Sequence, residues 1–134
     1  MIKRFRIKTK RQGLVDITQQ VNQQFAPEES SGLCTLFIRH TSASFIIQEN
    51  ADPSARQDLE NWLNKLVPEN DPLYTHTYEG PDDMPAHIKS ILTSTSLSIP
   101  FENKQLLLGT WQGIYLWEHR YTGGNREIVL HTTD

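Results

Sequence analysis

The chain has 134 residues, 37% hydrophobic and 22% charged, with a formal net charge of −3. That length and composition fit one globular domain, 1–134, with a real hydrophobic core. No apolar run is long enough to span a bilayer, and the acidic balance argues against a nucleic-acid partner.

The start, MIKRFRIKTKR, is basic but lacks the apolar block and small-residue cleavage site of a signal peptide, so a cytoplasmic location is the default expectation. It holds six of the thirteen basic residues. Residues 2–9 read as a strand, with Phe5 and Ile7 pointing one way and Arg4, Arg6, Lys8 and Lys10 the other. Gly13 marks a turn. Residues 16–25 read as a short helix with Ile17, Val21 and Phe25 on one face. Residues 33–39 and 43–48 read as strands around the polar His40-Thr41-Ser42. The single cysteine, Cys34, excludes an intrachain disulfide and reads as packing.

Asp52-Pro53 supplies an N-cap and a first-turn proline. The helix that follows carries Leu59, Trp62, Leu63 and Leu66 as an apolar stripe, and Pro68 ends it. Residues 68–82 form a long loop. Asp83 caps another helix, with Ile88, Ile91 and Leu92 expected to face inward. Strands are predicted at 96–100, 105–109, 113–121 and 126–132, and Gly123-Gly124 predicts a hairpin between the last two. On strand 113–121, Ile114, Leu116, Glu118 and Arg120 share one face and Tyr115, Trp117, His119 and Tyr121 the other. Both faces are partly apolar, so both are expected to be covered, one of them by a neighbouring subunit. The class is α+β: a curved mixed sheet with two to three short helices.

The most informative segment is Tyr74–Lys89, YTHTYEGPDDMPAHIK. It combines two histidines, three carboxylates, a lysine and two prolines with little that could fill a core. Rigid, polar loops of this kind position side chains for binding. His40, His76 and His87 all stand beside element ends, and imidazole is the commonest ligand for zinc-like metals. Taken singly, each histidine reads as an ordinary surface or core residue, and the eleven-residue spacing of His76 and His87 matches no standard metal motif. Their polar company raises the metal reading. His119 and His131 belong to the C-terminal strands and read as structural. Asn50, Asp52, Asp82, Asp83 and Glu118 are the carboxylate and amide candidates. Lys89, Arg39 and Arg120 could hold an anion, and Gln112 sits in a polar turn, GTWQG. There is no Walker loop, dinucleotide fingerprint or nucleophile elbow.

HTSAS (40–44), ENADP (49–53), EGPDDMPAHIK (79–89), SLSIP (96–100) and GTWQGIYLWEHR (109–120) resemble, in order, the YjbQ-like family of small bacterial and archaeal proteins. The resemblance implies a compact α+β homotrimer with a metal-binding pocket and a weak thiamine-phosphate synthase activity. Carried over residue by residue, it makes His40, His76 and His87 metal ligands and places Asn50, Lys89, Gln112 and Glu118 in the same pocket. The expected function is therefore a metal-dependent enzyme, a synthase-type transferase or a hydrolase, acting on a phosphorylated metabolite. Glu118, Gln112 and Asn50 would be catalytic, and Lys89 and Arg39 would bind phosphate. Three histidines favour zinc or another transition metal over magnesium. The alternative is a non-enzymatic trimer that binds a metal or small ligand.

Overall fold

The computed structural model describes residues 1–133; residue 134, the end of the expected domain, lies outside the described residues. The elements run β1 (Ile2–Thr9), β2 (Gly13–Asp16), α1 (Thr18–Asn22), β3 (Ser31–Ile38), β4 (Ala43–Glu49), α2 (Pro53–Leu66), α3 (Asp83–Leu92), β5 (Ser96–Glu102), β6 (Gln105–Leu106), β7 (Gln112–Glu118) and β8 (Gly124–Thr133). The α+β class and three short helices agree with the sequence. Every pairing is antiparallel, so the expected mixed sheet is corrected to an antiparallel, half-barrel arrangement. No helix of the described residues is long and apolar enough to cross a membrane.

Two sheets share one core. Five strands run in the order β1-β8-β3-β5-β6 and three in the order β2-β7-β4. Period-two alternation sends Ile114 and Leu116 of β7 into a core with Leu36, Ile38, Phe45, Ile128 and Leu130. Tyr115 and Trp117 point the opposite way and are buried with Leu14, Leu63 and Val67. Both faces of β7 are thus covered within the chain, and the neighbouring subunit invoked for one of them is not needed.

Two other expectations change. The Gly123-Gly124 pair does not close a hairpin: β7 pairs with β2 and β4, whereas β8 pairs with β1 and β3. Here the glycines carry the chain from one sheet to the other. Gly123 adopts φ +64°, and a Cβ there would lie 2.5 Å from the Thr9 carbonyl oxygen, so close approach rather than turn chemistry fixes the residue. The apolar stripes of the helices are narrower than read. Asp52 caps α2 as expected, accepting from Ser54 N at 2.9 Å, but only Leu63 is fully buried there, and Trp62 and Leu66 are exposed. On α3, Ile91 and Leu92 are exposed, and Pro85, Ala86, Lys89 and Ser90 are buried instead.

Candidate metal centre

The end of β7 is where the polar residues collect. Register sets Glu118 opposite both Gly13 and Ala43, so the β1–β2 turn, the HTSAS loop and the residues after β7 meet there. The start of α3 is drawn to the same place by Arg120. Its Nε donates to Asp82 Oδ2 at 2.9 Å, its Nη1 to Asp83 Oδ1 at 2.5 Å and its Nη2 to the Glu79 carbonyl at 2.8 Å. One guanidinium fork therefore fixes both the loop and the first turn of the helix. Its hydrogen bonds to Asp82 raise the Arg120 pKa further. Gly80, at φ +104°, supplies the turn into α3.

Asp83 and His87 are one helical turn apart and share a face. The loop brings His76 to them. His76 Nε2 donates to Asp83 Oδ2 at 2.6 Å, and His87 Nε2 lies 3.2 Å from the same oxygen. The ligand atoms of these three residues all lie within 4.8 Å of one another. Asp83 is buried and both imidazoles are partly exposed, so the group opens to solvent. Burial pushes the Asp83 carboxyl up, but the His76 hydrogen bond and the Arg120 charge outweigh it and hold the group below the usual carboxylate range. A cavity of about 390 Å³ adjoins His76, walled by Tyr74, Pro81 and Met84.

His40 is not in this group. Its Nε2 accepts from the Glu127 backbone N–H at 2.8 Å and its Nδ1 faces the Arg126 guanidinium at 3.4 Å. Burial and then that cation lower its pKa. The fold has committed its Nε2 lone pair to Glu127, and the predicted convergence of three histidines becomes two histidines and Asp83. Glu118 is fully buried but receives four donors: Thr9 Oγ1 and Arg126 Nε on one oxygen, Arg126 Nη2 and Arg120 N on the other. It is a saturated structural carboxylate, and its partner is an arginine rather than a histidine-lined centre. Arg39 pairs with Glu127 at the surface. Lys89 is buried against Asn64, and desolvation lowers its pKa. Gln112 and Asn50 lie at the opposite end of β7, where Gln112 Oε1 accepts from Gly109 N and Asn50 donates to the Gln112 carbonyl. Gln112 and Glu118 are six positions apart along the strand, roughly 20 Å.

Asp83 was visible as a carboxylate candidate, but its reading as a helix cap hid the better signal, an acid and a histidine four apart at a helix start. A second polar cluster surrounds His119, whose reading as a structural strand residue agrees with its burial. His119 is fully buried, its Nε2 is 2.8 Å from Ser44 Oγ, and Ser44 in turn meets Thr93. Burial, together with the charges of Lys89 and Arg126, lowers its pKa to about 3. The unfolded chain therefore binds a proton below about pH 6.5 that the folded chain refuses. Stability is full above that pH and drains away as pH falls toward about 3. His119→Gln should flatten this slope by roughly 1 kcal/mol per pH unit in urea unfolding between neutral and mildly acid pH. Parallel slopes for the two proteins would show that His119 does not carry the effect.

The pattern of residues in these motifs has a counterpart. A family model described as UPF0047 protein YjbQ-like matches residues 3–134. The chain belongs to this family. It is 57% identical to the UPF0047 protein sll1880 of Synechocystis over 103 residues, covering 77% of this chain and 70% of that one. It is 44% identical to the UPF0047 protein YjbQ of Escherichia coli O157:H7, covering 92% and 90% of the two chains. Among solved structures, a conserved hypothetical protein from Thermus thermophilus superimposes with a TM-score of 0.88 at 34% identity, over 98% of this chain and 99% of that one. The fold is thus shared with that structure over nearly the whole length of both chains.

Proposed function

We propose that the protein is a metal-dependent enzyme acting on small phosphorylated molecules, centred on His76, Asp83 and His87. The observation that carries this reading is the convergence of two imidazole nitrogens and one buried carboxylate within 4.8 Å. Two histidines and one carboxylate are the protein ligands of many catalytic zinc and non-haem iron sites, which keep a coordination position open for substrate. The donor set fits such an ion better than magnesium, which prefers oxygen ligands and retained water. Arg120 behind Asp83 fits too, because outer partners that orient a ligand belong to working metal sites.

A bound ion of this class would supply Lewis-acid polarisation of a phosphoryl oxygen. The chain's own part is to hold and to shape. Asp83 brings the negative charge, Arg120 fixes its orientation, and His76 and His87 set the direction of approach. Tyr74, Pro81 and Met84 offer an apolar wall for the substrate's body beside His76. Thiamine-phosphate synthesis, which displaces pyrophosphate from an aminopyrimidine diphosphate, is within reach of such a centre. Its usual magnesium requirement suits these ligands poorly, so we assign it as a secondary activity, with metal-assisted phosphate hydrolysis as the other reaction to assay. A homotrimer is part of the proposal. It is supported by exposed Trp62, Trp111, Leu107 and Tyr121, apolar surface of the kind that marks interfaces.

Elemental analysis of protein purified without chelator tests the centre. We expect a stoichiometric transition metal, and turnover of a phosphorylated substrate that is lost on chelation and regained on adding the metal back. Metal-free protein with undiminished turnover would overturn the reading. Stoichiometric metal without turnover of any phosphorylated substrate would favour a binding protein instead.

A further inference from the structure

We propose that the groove between the β1–β2 turn and the first turn of α2 binds a phosphate-bearing small molecule, at a site separate from the histidine–aspartate centre. The groove has a volume of about 730 Å³ and includes none of His76, Asp83 or His87 in its lining. That volume lies in the range of small-ligand sites.

Its charge is the first argument. Lys8, Lys10, Arg11 and Arg56 all line it, against a single carboxylate, Glu60. Glu60 is already engaged: its Oε2 accepts from the Leu14 backbone N–H at 2.8 Å, tying α2 to β2. Among the described residues none of the four cations is in an ion pair. Four unpaired cations at one groove, in a chain whose net charge is −3, make a local positive field against the general sign of the molecule.

The second argument is Arg56. Its guanidinium carbon lies 5.2 Å from the centroid of the Tyr115 ring. Tyr115 is itself buried, and its hydroxyl donates to the Glu49 carbonyl at 3.0 Å, so the ring is a fixed platform. A guanidinium held over such a ring has lost much of its rotamer freedom before any ligand arrives. Its Nε is nevertheless buried without an acceptor among the described residues. That buried Nε is closed to a ligand, so the pre-oriented terminal Nη groups are the ones that meet a phosphate's oxygens at the groove. Lys8, Lys10 and Arg11, on the flanking strand and turn, add charge for a second phosphate or a diphosphate. The groove's size and the acidic remainder of the chain favour a small molecule over a nucleic acid.

The test is a titration of the nitrogen-15-labelled full chain with inorganic pyrophosphate at constant ionic strength, followed by NMR. We expect saturable shifts of the Arg56 Nε–Hε signal and of the backbone amides from Lys10 to Leu14. Arg56→Gln should weaken binding by roughly tenfold or more. Lys10→Gln, at an exposed position that leaves the fold untouched, should weaken it by several-fold, and His87→Ala should leave it unchanged. Equal shifts with chloride, no saturation at millimolar pyrophosphate, unchanged affinity in the Arg56 and Lys10 variants, or loss of binding in the His87 variant would each overturn the proposal. Because pyrophosphate binding here needs no metal, its failure and the failure of the metal centre are read separately.

Discussion

Replacing Glu118 by Gln should destabilise the protein by roughly 3–5 kcal/mol, with its secondary structure retained. The carboxylate is fully buried and accepts two bonds from Arg126, at 2.6 and 2.5 Å, with Thr9 and the Arg120 backbone N–H satisfying the rest. Gln keeps the shape but removes the charge. It also turns one acceptor into a donor that faces the donors already there. Arg126 is itself buried and cannot turn to water, so the variant leaves an uncompensated cation inside the fold. The paired charges need not be strongly stabilising in themselves; the cost comes from breaking the pair. Replacing both partners, Glu118→Gln with Arg126→Met, should therefore recover much of the loss. Urea unfolding at neutral pH measures both effects. A loss below about 1 kcal/mol for the single variant would mean that the pair behaves as an exposed one.

Glu118 also illustrates how far the sequence could be read. Alternation along β7 placed it beside Ile114 and Leu116 on an inward face, and that is where it lies. What alternation cannot supply is the partner. Arg126 reaches Glu118 only because the chain crosses between sheets at Gly123 and runs back beside β1 rather than beside β7. The Gly-Gly pair had the local look of a hairpin, and only the approach to Thr9 reveals a crossing. The helices tell the same story. Periodicity found α2 and α3 and the cap at Asp52, because those signals are local. It overestimates the buried stripes: Trp62, Leu66, Ile91 and Leu92 are exposed, and the polar Lys89 and Ser90 take part of the inner face of α3. For the centre, His76 and His87 were legible from the density of polar groups in Tyr74–Lys89. His40 was grouped with them on resemblance and on its position beside a strand end. Its strand end faces Glu127 and Arg126, and the Glu127 backbone N–H takes the imidazole's one lone pair.

In the proposed metal centre, Asp83→Asn should reduce bound metal to background, and Arg120→Lys should lower affinity by roughly 10–100-fold. The two variants separate ligand from support. Asp83 Oδ2 is the atom that both imidazoles approach, at 2.6 and 3.2 Å. Asn presents at best a neutral oxygen there, without the charge that offsets a divalent ion. Arg120 touches no imidazole. It holds Asp83 through Oδ1 and Asp82 through Oδ2 with different arms of one planar group. Lysine keeps the positive charge but not the fork, so it can satisfy one carboxylate well and the other poorly. Asp83 would then sample orientations that no longer point Oδ2 between the histidines, and affinity falls without loss of any ligand. His40→Ala provides the contrast, because its Nε2 lone pair is taken by the Glu127 backbone N–H and the ring lies outside the group; metal affinity should be unchanged. Competition with a chromophoric zinc chelator, alongside circular dichroism of each variant, gives the order expected: Asp83→Asn weakest, Arg120→Lys intermediate, His40→Ala equal to the parent. An Arg120→Lys protein with parental affinity would show that the fork does not position the ligand. Metal loss in folded His40→Ala would bring that histidine back into the coordination sphere.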